Sequence, residues 1–260
     1  MSRAPVDSDT RQARIVEIAR DSGSVSVDGL ATMFGVTPQT IRKDLTLLDR
    51  RSLIARVHGG AVAGSGTDNL SYAERRSIAA AAKAAIGAAA AALVPDGSSL
   101  FINIGTTTEA IAQHLVDRRG LMVITNNLNV VDILADRPGI EVIAAGGRVR
   151  ANDRAVVGAL AIDFIRGFKV DLALIGASGI EANGDFLDFD VDEVRVSQTI
   201  LENARRVILA VDSTKLDRPA PVRIGHLADI DYLVTDIVAA PLRIACEAAG
   251  VTVVETGATR

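Results

Sequence analysis

The chain has no tryptophan, two tyrosines and six phenylalanines, so aromatics make up only 3% of its 260 residues. Proteins that hold unpaired bases stack them on aromatic side chains, and this chain has little to offer for that. It has a single cysteine, Cys246. One cysteine excludes an internal disulfide framework and a cysteine-rich zinc site. Cys246 falls in an apolar, helix-like run and is expected in the core. The three histidines, His58, His114 and His226, are scattered, so no metal site and no cofactor are expected from them. Long uncharged runs are also missing. The alanine-rich stretch near residues 78–93 is interrupted by Lys83 and reads as a soluble helix rather than a membrane span. No secretory signal is visible.

Charge is nearly balanced, 28 Lys and Arg against 32 Asp and Glu, for a net of −4. It is not evenly spread. Residues 1–61 hold nine basic and seven acidic side chains, while the remaining 199 positions hold 19 and 25. An acidic bulk repels a polyanion, so any docking on nucleic acid falls to a local patch on the small N-terminal part.

That part carries the most informative stretch, Thr37-Pro38-Gln39-Thr40-Ile41-Arg42-Lys43-Asp44-Leu45. Thr37 is a good N-cap, and Pro38 then stands at the first helical position, where its missing N–H costs nothing. Ile41, Leu45 and Leu48 recur at helical spacing and form a buried stripe. Gln39, Thr40, Arg42 and Lys43 point away from it, near the helix N-terminus. Such side chains reach base edges and phosphates in a major groove. An ordinary amphipathic helix has the same pattern, and the flanks decide between the two. Upstream, Ser26 caps a short helix with Val27, Leu30, Ala31 and Phe34 on its apolar face, ended by Gly35. Val36 plugs the turn, and an earlier helix over 11–21 turns Ile15, Ile18 and Ala19 inward. Downstream, residues 53–61 alternate and then turn at Gly59-Gly60, which reads as a β wing with Arg56 and His58 on one face. Residues 1–61 are therefore expected to form a winged helix-turn-helix that grips double-stranded DNA through Thr37, Gln39, Thr40, Arg42, Lys43, Arg56 and His58. A cytoplasmic address without a membrane partner follows for a DNA binder.

Residues 62–71, with Gly64, Ser65, Gly66 and Thr67, read as a linker. From 72 to 260 the pattern is α/β. A long helix over 72–93 is followed by candidate strands at 99–104, 122–125, 141–145, 171–176, 207–211, 232–234 and 251–254. Helical patterns at 108–115, 128–135, 190–203 and 241–248 lie between them. Such alternation implies a mostly parallel sheet covered on both faces, with ligands bound beyond the carboxyl ends of its strands.

Five polar loops lie at those ends. In the first, Gly105, Thr106, Thr107 and Thr108 offer N–H groups at a helix N-terminus, suited to a phosphate, although the threonines could simply cap the helix. The amides of Asn126 and Asn127 could meet sugar hydroxyls or close an Asx turn. Gly146 and Gly147 open space beside Arg148 and Arg150, and Arg148 could meet an anion or merely be solvated. Asp188, Phe189 and Asp190 stand before Glu193 and Arg195. In the last loop, Asp212-Ser213-Thr214-Lys215, Lys215 could neutralise a phosphate or pair with a carboxylate.

Val36-Thr37-Pro38-Gln39-Thr40-Ile41-Arg42-Lys43-Asp44-Leu45 and Arg56-Val57-His58-Gly59-Gly60-Ala61 resemble the head of DeoR-family transcriptional repressors. The second domain resembles that family's sensor in Asp96-Gly97, Gly105-Thr106-Thr107, Thr125-Asn126, Gly146-Gly147, Gly176-Ala177-Ser178-Gly179-Ile180 and Asp212-Ser213-Thr214-Lys215. The resemblance spans nearly the full length. It implies a sensor similar to sugar-phosphate isomerases and CoA transferases, with a phosphorylated sugar or polyol as effector. Asn103-Ile104-Gly105-Thr106-Thr107-Thr108-Glu109-Ala110, Thr125-Asn126-Asn127-Leu128-Asn129-Val130 and Leu187-Asp188-Phe189-Asp190 with Glu193-Val194-Arg195 resemble members that answer to glycerol 3-phosphate. Residues 158–164, followed by Asp171, do so too. This implies glycerol 3-phosphate as the inducer. The chain departs from the family at Asn103, where many members have Asp, at Arg148, and at Gly29, which replaces the acidic member of a capping box with Ser26.

The expected mechanism is repression by a homo-oligomer, a dimer or tetramer, with paired heads on an operator. Phosphate would seat on Gly105, Thr106, Thr107 and Thr108 with help from Lys215. Hydroxyls would meet Asn126, Asp190 and Glu193, and Gly146 and Gly147 would leave room. Two other classes are set against this. An isomerase-like enzyme could use Glu193 or Asp190 as a general base, but a DNA head has no use on one. An architectural DNA binder would need no effector, and the five polar loops speak against it.

Overall fold

The structure is a computed structural model, and it describes residues 7–22, 24–50, 53–57, 59–63 and 72–257. The chain divides into two compact units, Met1–Glu74 and Arg75–Arg260. His58, expected as a DNA contact, and residues 64–71 of the expected linker lie outside the described residues, as does the side chain of Arg56; Val62 and Ala63, also read as linker, instead pair with Ala55 and Ile54 in a strand.

The first unit runs α1 (Ser8–Ser22), β1 (Ser24–Ser26), α2 (Val27–Phe34), α3 (Pro38–Arg50), β2 (Ile54–Val57) and β3 (Gly60–Ala63). Ser26 caps α2 by accepting from the Gly29 N–H, and Gly35 ends it at φ +64°, a conformation that favours glycine. Thr37 accepts from the Thr40 N–H at 3.2 Å and so starts α3. Ile15, Ala19, Leu30, Ile41, Leu45 and Leu48 make the core, with Val36 packed against it. The wing is β2 and β3, antiparallel, with Arg56 opposite Ala61. The sequence reading did not anticipate its third strand, β1, which pairs with β3.

The single helix expected over 72–93 is two helices, α4 (Tyr72–Ser77) and α5 (Ala80–Ala92). Ala79 between them sits at φ +52°, a left-handed residue that breaks the helix without glycine or proline. There follow β4 (Ser99–Ile102), α6 (Thr106–Gln113), β5 (Leu121–Thr125), α7 (Leu128–Leu134), β6 (Ile140–Ala144), β7 (Arg148–Arg150), β8 (Ala155–Val157) and α8 (Ala159–Arg166). Next are β9 (Val170–Ile175), β10 (Gly179–Ile180), β11 (Asp185–Asp188), α9 (Val191–Glu202), β12 (Ala204–Ala210), β13 (Val222–His226), β14 (Tyr232–Thr235), α10 (Ala240–Ala249) and β15 (Thr252–Glu255).

Seven strands form one parallel sheet in the order β15-β14-β12-β9-β4-β5-β6. They are the seven strands expected from the alternation. Apolar clusters cover both faces. Phe101, Ala173, Ile175 and Leu209 belong to one, and Leu100, Ile102, Leu172 and Leu174 to the other. This burial on two sides is why the strands read as continuous apolar runs. Cys246 is buried in the first cluster. From β4 the chain builds outward through β5 and β6, and from β9 it builds the other way through β12, β14 and β15. The order therefore reverses between β4 and β9, and a crevice opens where the two connections part. A small antiparallel sheet, β10-β11-β13, and the β7–β8 hairpin stand outside the main sheet.

Candidate functional site

In the first unit, α3 turns Ile41, Asp44, Leu45 and Leu48 inward and leaves Gln39, Arg42, Lys43 and Leu47 exposed. Gln39, Arg42, Lys43, Thr46 and Leu47 border one open groove on the outer face. Thr37 and Thr40 hold each other, hydroxyl to hydroxyl, at 2.9 Å. The outer face of α3 is thus a polar and cationic surface.

In the second unit, a narrow cleft of about 30 Å³ lies where the strand order reverses. Ile104, Gly105, Thr106 and Thr107 follow β4 into it, and Gly176, Ala177 and Ser178 follow β9. Lys215 enters from the turn after β12, Asp188 from the end of β11, Glu193 from the first turn of α9, and Arg75 from α4. Gly105 precedes α6 at φ +147°, without a side-chain cap. The first intrahelical bond comes from the Glu109 N–H to the Gly105 carbonyl at 3.0 Å. The N–H groups of Thr106, Thr107 and Thr108 thus have no partner within α6 and carry the positive end of its dipole.

Burial lowers Lys215 to about 8, and the nearby charge of Arg218 adds to this while Asp212 opposes it. Behind it, Lys83 is buried and lowered by desolvation, although Asp212 is 3.9 Å away. Its ammonium donates to the carbonyls of Ile78, at 2.8 Å, and Arg75. On the opposite wall, burial raises Glu193 to about 8, the charge of Asp188 adds to this, and Arg150 opposes it. Burial raises Asp188 as well. Two adjacent buried carboxyls cannot both ionise cheaply, so the pair keeps a proton into the neutral range.

Arg150, from the β7–β8 hairpin, holds that wall. It bonds Asp153 at 2.6 Å, pairs with Asp190 at 2.9 Å and contacts Glu193. Arg75 also reaches Asp153, at 3.4 Å. Asn103 ties the end of β4 to α9. Its Oδ1 accepts from the Ile104 N–H at 2.7 Å and its Nδ2 donates to Ser197 at 2.8 Å.

Of the residues read from the sequence as effector contacts, Gly105, Thr106, Thr107, Glu193 and Lys215 meet in this cleft. Thr108 turns its hydroxyl back to the carbonyls of Asn103 and Gly105, both at 2.8 Å. Asp190 caps α9 through the Glu193 N–H. Gly146 and Gly147 precede β7 and do not border the cleft. Asn126 is fully buried outside the cleft lining; its Nδ2 donates to the Val156 carbonyl at 3.1 Å and its Oδ1 accepts no bond. Asn127 closes the Asx turn, accepting from the Asn129 N–H. Arg148 pairs with Asp192 at 2.7 Å on the surface. Arg75, Ser178 and Asp188 border the cleft without a role read from the sequence. Asp188 lies in a loop that the strand-end rule singles out without giving it a role, and Ser178 follows a strand, where the same rule could have found it. Arg75 precedes β4, the first strand of the main sheet, and no sequence signal marks it. Among the described residues no His, Cys, Asp and Glu cluster could hold a metal ion, and no helix is long and apolar enough to cross a membrane.

A winged helix-turn-helix joined to an α/β unit with a polar cleft at its strand ends defines a ligand-responsive, DNA-binding regulator. Family models agree with each half. The DeoR-like helix-turn-helix domain matches residues 11–67, and the DeoR C terminal sensor domain matches residues 78–237. The chain belongs to the DeoR family and is a transcriptional repressor rather than an enzyme. It is 40% identical to the glycerol-3-phosphate regulon repressor of Escherichia coli K12 over 226 residues, covering 87% of this chain and 90% of that one. The repressor of the same name from Haemophilus influenzae is 39% identical, covering 86% and 88%. The HTH-type transcriptional repressor CsqR of E. coli is 35% identical, covering 91% and 90%. Among solved structures, ribose 5-phosphate isomerase A from Methanocaldococcus jannaschii aligns over 54% of this chain and 56% of that one, at 16% identity and a TM-score of 0.41. That likeness is too slight to carry a shared activity.

Proposed function

We propose that the chain holds operator DNA with paired heads and lets go when a phosphorylated polyol or sugar occupies the cleft of the sensor unit, with glycerol 3-phosphate the first candidate. The observation that carries this reading is the polarity of the cleft. The unpartnered N–H groups of Thr106 and Thr107 and the buried Lys215 form an anion-binding end. The Asp188 and Glu193 carboxyls form an end suited to hydroxyls. Glycerol 3-phosphate has one group for each end, and the names of the relatives favour it.

At about 30 Å³ the cleft is small beside a polyol phosphate, and side chains that rearrange around the ligand would make occupied and empty forms differ in shape. Such a difference lets a ligand shift a conformational equilibrium. A coupling of about 1–3 kcal/mol reduces operator affinity roughly 5–150-fold. On the DNA side, Gln39, Arg42 and Lys43 face the major groove with Thr37 and Thr40 at the helix start. Arg56 and His58 of the wing grip the backbone. Paired heads about 34 Å apart read successive grooves, which makes the working form a homo-oligomer in the cytoplasm.

The test is operator release at fixed salt, titrated with glycerol 3-phosphate, other sugar phosphates and glycerol. Release by a phosphorylated compound, and none by glycerol, is the expected result. Operator binding that no phosphorylated metabolite weakens overturns the reading.

A further inference from the structure

α9 presents one outward ridge. Val191, Arg195, Gln198 and Glu202 are exposed along it, while Val194, Val196 and Ile200 are buried beneath. The ridge stands between two grooves. One, of about 370 Å³, lies between α8 and α9 over Ala159 and Ile162. The other, of about 560 Å³, lies beside β13, with Leu201 and Ile224 in its walls. α8 also carries Leu160, which at 71% is the most exposed large apolar residue among those described. It is one turn from Asp163, which borders the first groove.

Some exposed arginines of the sensor unit find an acid in their own chain, as Arg148 does with Asp192 and Arg154 with Asp132. Arg195 and Glu202 form no ion pair among the described residues, although both sit on the same helix face. Seven residues separate them, which is two turns or about 10 Å. The ridge therefore reads positive, neutral, negative, with Gln198 near its midpoint. Gln198 is held in place by the carbonyls of Arg223 and Ile224 at 3.2 and 3.3 Å.

This layout is its own complement. Two such ridges laid antiparallel about a two-fold axis near Gln198 put Arg195 opposite Glu202 of the partner subunit, twice over. A parallel arrangement faces like charges. Self-complementarity of this kind is what an isologous contact requires. We infer that the α8–α9 face is a two-fold interface through which the sensor units of two copies of this chain pair. The inference rests on the reading that heads act in pairs and adds the surface that pairs them.

Sedimentation equilibrium of the full chain, without DNA or effector, tests it by charge reversal. Arg195→Glu and Glu202→Arg each turn two attractions into two repulsions and are expected to weaken self-association about tenfold, an effect that shrinks at 1 M salt. The double variant restores opposite charges and is expected to return within about threefold of the parent. Leu160→Glu, exposed in its own chain, weakens association with unchanged thermal melting. Single reversals that leave association unchanged, a double variant that stays as weak as the singles, or a parent chain that remains monomeric overturn the interface. Because neither DNA nor effector is present, charge reversals that fail leave the operator-release reading standing, a monomeric parent removes the free homo-oligomer from that reading as well, and failure of operator release leaves the interface standing.

Discussion

Arg11 on α1 and Asp44 on α3 form a buried, two-pronged ion pair, with Nε 2.7 Å from Oδ2 and a second guanidinium nitrogen 3.3 Å from Oδ1. Gln12 donates to the same carboxylate at 2.9 Å. Asp44 thus adds no negative charge to the outer face of α3, because its carboxylate faces inward and is matched. The pair fixes α3 from behind while Arg42 and Lys43 face out. Removing one partner leaves a buried charge alone, which costs about 3–5 kcal/mol. Asp44→Ala is expected to destabilise the first unit by that order. Hydrogen exchange across α1 and α3 checks this, and protection equal to the parent's would show that the pair does not hold the helix.

Arg42→Ala and Lys43→Ala work from the other face. Both residues are exposed, so neither change should move thermal melting. A lysine that meets a phosphate lowers the salt dependence of operator binding by about one counterion when removed, and weakens all sequences alike. An arginine that reads a base costs about 1–3 kcal/mol and relaxes preference at one position. Binding to the selected operator across a salt series separates the two roles. Parent-like affinity in both variants would remove α3 as the reading helix.

Lys215 is expected to set a pH limit on effector binding. Its folded value, lowered by burial to about 8, means that it carries charge below that pH and loses it above. A phosphate monoester gains its second charge near pH 6. Effector affinity is therefore expected to rise from pH 5 to 7 and fall as pH passes 8. Lys215→Met is expected to make the upper limb shallower, leaving the part due to Glu193, which burial also brings to about 8, and to weaken binding at pH 7 at least tenfold, while operator binding persists and no longer yields to effector. Calorimetric titration over pH 5–9 measures both limbs. An affinity that stays flat through pH 9 in the parent chain would place the anion away from Lys215.

Much of this architecture was legible in the sequence, because each level of the pattern had a physical cause. The inner strands β4, β9 and β14 are buried on both faces along most of their length, so they read as apolar runs between polar loops, whereas the edge strands β6 and β15 are only partly covered. The head was legible through its caps, Ser26, Gly35 and Thr37. What escaped was short or unmarked. β10 has two residues and β7 is Arg-Val-Arg, too brief for any periodicity. The break between α4 and α5 falls at Ala79, a residue type that ordinarily continues a helix. In the cleft, Gly105, Thr106, Thr107 and Lys215 follow strands, and the strand-end rule reached them. Thr108 satisfies its own helix turn instead, a choice that side-chain chemistry alone leaves open.

Gly87, in the alanine-rich α5, tests how tightly α6 is held. A Cβ there would stand 2.7 Å from both the carbonyl carbon and the oxygen of Ala110, which belong to the backbone of α6 and cannot turn aside. On an isolated helix, Gly→Ala would stabilise by about 1 kcal/mol. Here the crowding forces α5 and α6 apart, at a cost of about 1–3 kcal/mol. Gly87→Ala is expected to lower the melting temperature of the sensor unit. Because α6 also carries the N–H groups of Thr106 and Thr107 into the cleft, effector affinity should fall with it. Gly87→Ser should do the same, whereas Ala88→Gly, one position along on the exposed side, should cost only helix propensity and leave effector affinity unchanged. A Gly87→Ala chain that melts higher than the parent would mean that α5 and α6 are packed with room to spare, and that the anion-binding end is not held by this contact.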